Sequence, residues 1–118
     1  MGSREQRWRQ GEDAAWATYR RRGFRLVDRN WRSALGELDL VVGRNGVVVF
    51  CEVKARGSAA LGGPFEAVTA AKRRKLRLLA QAYVTSTGIA AHTFRFDVAS
   101  VRIDRRGNPD VYLFEDAF

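Results

Sequence analysis

A chain of 118 residues, nearly half of them apolar, suffices for a single domain spanning 1–118 with its own core and is too apolar for a disordered tail. One cysteine and one histidine exclude an internal disulfide and a Cys/His metal cage, and the longest apolar run, Val47 to Cys51, falls far short of the roughly 20 residues of a membrane helix. The net charge of +8 comes from eighteen Arg against three Lys. Guanidinium groups fork onto phosphate and stack on bases, so this bias favours nucleic acid as partner, with a solvated basic face as the plainer account. No amphipathic helix pairs the charge with a large apolar face, which argues against a membrane surface. The cysteine usage fits a reducing compartment, and Met1 to Gln10 is polar, without the apolar stretch of a signal peptide. The cytoplasm is the expected location.

The first predicted element is a helix over Glu5 to Arg22, closed by Gly23. Trp8, Glu12, Ala15, Trp16 and Tyr19 fall on one stripe, which sets the Glu12 carboxyl among apolar residues. Phe24 to Trp31 reads as a first strand; Leu35 to Gly43 and Val47 to Ala55 follow as two more, joined through Asn45-Gly46, a strong hairpin signal. Val47 to Val53 is apolar on both faces apart from Glu52, the pattern of a central strand. Residues 57–64 form a Gly/Ala/Ser-rich connection, expected to be a mobile loop. Thr69 caps a second helix running to about Thr87, with Leu76, Leu79, Ala80 and Tyr83 as its core stripe and Gly88 past its end. Phe94, Phe96 and Val98 alternate with Arg95 and Asp97 in a fourth strand, and a turn at Asn108-Pro109 leads to a last strand over Val111 to Phe114. The predicted order is α-β-β-β-α-β-β, an α/β fold.

The chemistry sits on the hairpin. With Asn45 and Gly46 as its turn, Asp39 lies opposite Glu52 and Glu37 opposite Lys54. Strand alternation then puts all four on one side of the sheet. Two facing carboxylates on a Val/Phe-rich hairpin repel, and burial adds several kcal/mol (order of magnitude) unless a cation compensates. Lys54 offers one charge but already faces Glu37. A divalent ion held by carboxylate oxygens offsets the repulsion, and oxygen ligation suits Mg²⁺ or Mn²⁺. Such an ion acidifies a coordinated water and neutralises charge building on a phosphate, while Lys54 is placed to orient that water. Glu12 is a further acidic ligand within reach from the first helix. The plainer account makes Glu37–Lys54 a cross-strand ion pair and the two acids edge residues. The central character of Val47 to Val53 opposes it.

Gly36-Glu37-Leu38-Asp39-Leu40 followed by Phe50-Cys51-Glu52-Val53-Lys54 resembles the restriction-endonuclease-like superfamily with its Asp-spacer-Glu-x-Lys signature. More closely, the chain is similar to the small bacterial YraN-like family, relatives of archaeal Holliday-junction resolvases. The similarity runs from Gly11-Glu12 through Arg29-Asn30, the hairpin, Val68, Lys72 and Phe96-Asp97. It implies a central mixed β-sheet flanked by helices, with Asp39 and Glu52 as ligands to Mg²⁺ or Mn²⁺, Lys54 catalytic, and Glu12 matching the helix-borne acid of the resolvase branch. It also implies an endonuclease acting on DNA, branched or structured, and a homodimer. Leu38 stands where the signature has proline, and Cys51 where valine is usual.

Arg29, Arg56, Lys72 and Arg73 are the expected nucleic-acid contacts, Lys72 because it lies at the start of the second helix, where backbone N–H groups also favour phosphate. His92 and Cys51 read as structural, and Trp8, Trp16 and Trp31 as core anchors. Three functions remain open: a metal-dependent endonuclease, a nucleic-acid-binding module whose nuclease site is degenerate or unused, and an interaction protein whose arginines contact acidic partners.

Overall fold

A computed structural model describes residues 4–57 and 68–118. Most of the 57–64 connection therefore lies outside the described residues, beyond Gly57, which closes a strand. The elements are α1 (Arg4–Arg21), β1 (Arg25–Ser33), β2 (Gly36–Arg44), β3 (Val47–Gly57), α2 (Ala70–Thr87), β4 (Thr93–Ile103) and β5 (Pro109–Phe114). Their order is the predicted one. Sequence reading under-drew the last two strands, because Ser100, Arg102 and the Pro109-Asp110 start carry little strand propensity of their own.

The five strands form one mixed sheet in the order β1-β2-β3-β4-β5. Only β3 and β4 are parallel, from Val47↔Thr93 to Gly57↔Ile103, and α2 lies in the crossover between them. The β2–β3 hairpin turns on Asn45 and Gly46, both at positive φ (50° and 79°), as the two-residue turn demands. Its ladder runs from Arg44↔Val47 to Leu40↔Cys51, in the predicted register.

Each face of the sheet carries one helix, which explains why β3 is apolar on both sides. Val49, Cys51 and Val53 pack with Ala15 and Tyr19 of α1; Val48 and Phe50 pack with Leu76, Leu79, Ala80 and Tyr83 of α2. α1 lies close on β3 because residue 11 has no side chain. A Cβ there would stand 2.6 Å from that of Ala55, well inside contact distance. α2 begins at Thr69, whose hydroxyl accepts the Lys72 N–H at 3.1 Å, and ends on Gly88 in the left-handed region. No helix of the described residues is long and apolar enough to cross a membrane.

Candidate active site

β2 and β3 bring the two hairpin acids together. Asp39 and Glu52 are both buried, 8% and 9% exposed, at the end of the β2–β3 ladder away from the turn. There the strands part. The Asp39 Oδ2 accepts the Val53 N–H at 2.9 Å, so a side chain takes a backbone donor of β3. Alternation breaks at the same place: Leu40 and Val42 pack on the α1 side, yet Leu38 joins the α2 side. Strict alternation from the turn therefore places Asp39 and Glu52 correctly and fails beyond them.

Glu37 is where it fails. Its carboxylate accepts from the Arg32 Nε at 3.2 Å, across the β1–β2 ladder, and does not pair with Lys54. The Asp39–Val53 bond stands where the β2–β3 ladder ends, and β1 supplies Glu37's partner instead. Lys54 is two residues beyond Glu52 on a regular stretch of β3, hence on the same side of the strand, and is half-buried.

The electrostatics follow from crowding of like charge. Burial, then the hydrogen bond and repulsion from Glu52, hold the Asp39 carboxyl well above the ordinary carboxylate range; the Val53 N–H opposes this, and Glu12 adds to it. Lys72 brings one cation from α2, its Nζ 3.0 Å from the Glu52 Oε2. Oxygen donors only, buried, with one lysine and one backbone N–H against two carboxyls, fit a hard divalent ion. Magnesium keeps several waters and commonly takes only one or two carboxylates.

Glu12 is not free to complete that set as it stands. It is 1% exposed, and the Asn30 Nδ2 reaches both its oxygens at 3.0 Å while the Arg29 Nε reaches Oε1 at 3.1 Å. Burial raises its pKa, with Asn30 and Arg29 pulling it down. Among the described residues no three Asp, Glu, His or Cys side chains lie together as a metal site. The two residues that clamp Glu12 were missed as such by sequence reading. One signal was available: Asn30 sits mid-strand against its propensity, and it adopts a left-handed φ of 55° that aims its amide at Glu12.

The expected phosphate contacts also have work within the chain. Arg29 binds Glu12 and, at 2.7 Å, Asp13. Arg73 donates to the Val68 carbonyl at 3.0 Å and lies over the Phe118 ring, and Lys72 pairs with Glu52. Arg56 is half-buried near the end of β3. Arg74, Lys75 and Arg77 on α2 are exposed, so the solvent-facing basic row of that helix is theirs. Cys51 is buried against α1, where burial pushes its thiol pKa up and removes it from nucleophilic use.

The family model described as "Uncharacterised protein family UPF0102" matches residues 11–101, a span that holds Glu12, Asp39, Glu52, Lys54 and Lys72. A UPF0102 protein of Rhodococcus jostii (strain RHA1) is 41% identical, over 92% of this chain and 92% of its own. One from Moorella thermoacetica is 42% identical, over 88% and 87%, and one from Renibacterium salmoninarum 44%, over 84% of each. The chain belongs to the UPF0102 family, the YraN-like group that the hairpin motif resembles.

Proposed function

We propose that this UPF0102 protein is a metal-dependent endonuclease of the restriction-endonuclease-like kind, hydrolysing phosphodiester bonds of DNA in the cytoplasm, with branched or structured DNA as its candidate substrate. One observation carries the reading. Two buried acids, Asp39 and Glu52, share a site to which the described residues bring one paired cation, Lys72, with Lys54 two residues along the same strand. A structural ion pair does not need a second acid, and an apolar core does not need either.

Asp39 and Glu52 would hold Mg²⁺ or Mn²⁺, with Glu12 as a further ligand once Asn30 and Arg29 release an oxygen. When bound, the ion supplies positive charge against the scissile phosphate and a more acidic water. The chain's own residues do the rest. Lys54 orients the attacking water and stabilises negative charge developing on phosphorus-bound oxygens. The Val53 N–H, by binding Oδ2, fixes the direction of the Asp39 carboxylate. The exposed arginines hold the substrate backbone and draw it in from a distance, a salt-sensitive attraction.

A second reading, nucleic-acid binding without turnover, is favoured by the clamp on Glu12, which removes the third acid. A cleavage panel separates the two: single-stranded, duplex and four-way-junction DNA, each with Mg²⁺, Mn²⁺ or EDTA. The endonuclease reading expects strand breaks with either metal, none with EDTA, and none from Asp39→Asn. DNA that is bound but left intact in every metal arm would establish the binding module instead.

A further inference from the structure

The first turn of α2 is built against its own dipole. It has no acidic residue, and Lys72, Arg73, Arg74 and Lys75 follow its Thr69 cap after only Ala70 and Ala71. Cations are disfavoured at a helix N-terminus, so helix stability does not explain them. Arg73 is tied to the Val68 carbonyl, and Arg74 and Lys75 face solvent. Lys72 alone reaches the site: its ammonium lies 3.0 Å from the Glu52 Oε2, with the lysine side chain 45% exposed and the glutamate side chain 9%. A half-solvated cation on a long flexible stem thus neutralises a carboxylate of the proposed metal site from outside.

We infer that Lys72 is an internal counter-ion that competes with the divalent ion for Glu52 and yields the carboxylate when the ion binds. This rests on the metal-site reading above. An ammonium and a dication on one carboxylate repel each other, and Lys72 can leave Glu52 for solvent by rotating its half-exposed stem. Loading of the site then includes breaking the Lys72–Glu52 pair, and the freed ammonium emerges beside the N–H groups of the first turn, where a phosphate oxygen is the favoured replacement partner. The half-exposed pair costs little to break, so the competition weakens metal binding without preventing it.

The test is Mn²⁺ affinity, read from the free-ion electron paramagnetic resonance signal during titration in the absence of DNA. Lys72→Met should bind Mn²⁺ about two- to fivefold more tightly than the wild type, the gain expected from removing an ion-pair competitor of this exposure. Lys72→Arg, which keeps the charge, should bind as weakly as the wild type. Arg74→Met, which removes a cation from the same turn without touching Glu52, should change affinity far less than Lys72→Met. Asp39→Asn reports on the site itself. If wild-type Mn²⁺ binding is lost in Asp39→Asn but Lys72→Met binds no tighter, the metal site stands and the counter-ion role is overturned. If the wild type binds no Mn²⁺, or binds it equally well as Asp39→Asn, the metal-site reading fails and takes the inference with it.

Discussion

Buried acids at two places in the sheet have opposite surroundings. Asp97 of β4 is fully buried beside Cys51, one residue from Glu52 in the parallel ladder. It accepts four hydrogen bonds: from the Tyr19 hydroxyl at 2.6 Å, from Arg95 Nε and an Arg95 terminal nitrogen at 2.9 Å each, and from the Asp116 N–H at 2.9 Å. Its charge is matched by one guanidinium held in a two-pronged grip. Asp39 and Glu52 hydrogen-bond to each other and, among the described residues, have besides one backbone N–H and one half-exposed lysine between them. The chain is thus able to satisfy a buried carboxylate completely, and does so where α1, β4 and the C-terminal residues meet. At the hairpin, among the described residues, it brings two acids one paired cation. That deficit, more than the presence of acids, distinguishes a site built for an external cation from one built for the fold.

The contrast makes opposite predictions for the two places. Asp97→Ala leaves the buried Tyr19 hydroxyl without its carboxylate and Arg95 with only Glu115, and should destabilise the domain by about 3 kcal/mol, the low end for breaking one side of a buried pair. A loss below about 1 kcal/mol in urea unfolding would mean that the network is replaceable and the comparison misdrawn. Next in size is Lys54→Ala, which should lower cleavage by about 10²–10³-fold, as for other groups that stabilise developing charge. DNA binding should hardly change, since Lys54 is one of 21 cationic side chains. Folding should survive as well, because Glu37 is held by Arg32 and loses no partner. Cleavage at the wild-type rate would reduce Lys54 to a surface-strand lysine.

How far these places were legible in the sequence depended on the range of the forces involved. Local signals carried the hairpin: Asn45-Gly46 set its turn and register, and with them the encounter of Asp39 with Glu52. Thr69 and Gly88 bounded α2, and its four-residue apolar stripe is buried as expected. What was hidden needed the third dimension. That Asp39 takes the Val53 N–H where the β2–β3 ladder ends, with Glu37 held by Arg32, follows from competition between a side chain and the backbone ladder that spacing does not reveal. The Asp97 network joins residues 78 positions apart, Tyr19 and Asp97, and the alternation of β4 showed only that Asp97 lies opposite its apolar neighbours. Charge is visible in a sequence and its internal partners are not, so the sequence offers Arg29 and Arg73 as phosphate contacts without showing that they also hold Glu12 and the Val68 carbonyl.

The smallest effect is the most direct probe of the deficit. In metal-free buffer at neutral pH, Asp39→Asn should raise stability by about 1 kcal/mol or more, a rise in melting temperature of roughly 4 °C. The asparagine carbonyl can still accept the Val53 N–H, and its amide can donate to Glu52, so the hydrogen bond to Glu52 is kept without the cost of holding a proton on Asp39 at neutral pH. The groups facing Asp39 are Glu52 from β3 and Glu12 from α1, with Lys72 of α2 reaching the pair only through Glu52. The pH dependence has a definite sign. The folded-state pKa of Asp39 is raised, so the folded chain binds more protons than the unfolded one over the interval above the unfolded value of about 3.9. Stability of the wild type in EDTA should therefore fall as pH rises through that interval, and Asp39→Asn should flatten this part of the profile. Glu52→Gln relieves the same repulsion but strands Lys72, so its gain should be smaller than that of Asp39→Asn. Added Mn²⁺ should reverse the order, stabilising the wild type by mass action and leaving both variants behind. A drop in melting temperature for Asp39→Asn in EDTA would show that the chain already satisfies this carboxylate as fully as it satisfies Asp97, and the difference between the two places would disappear.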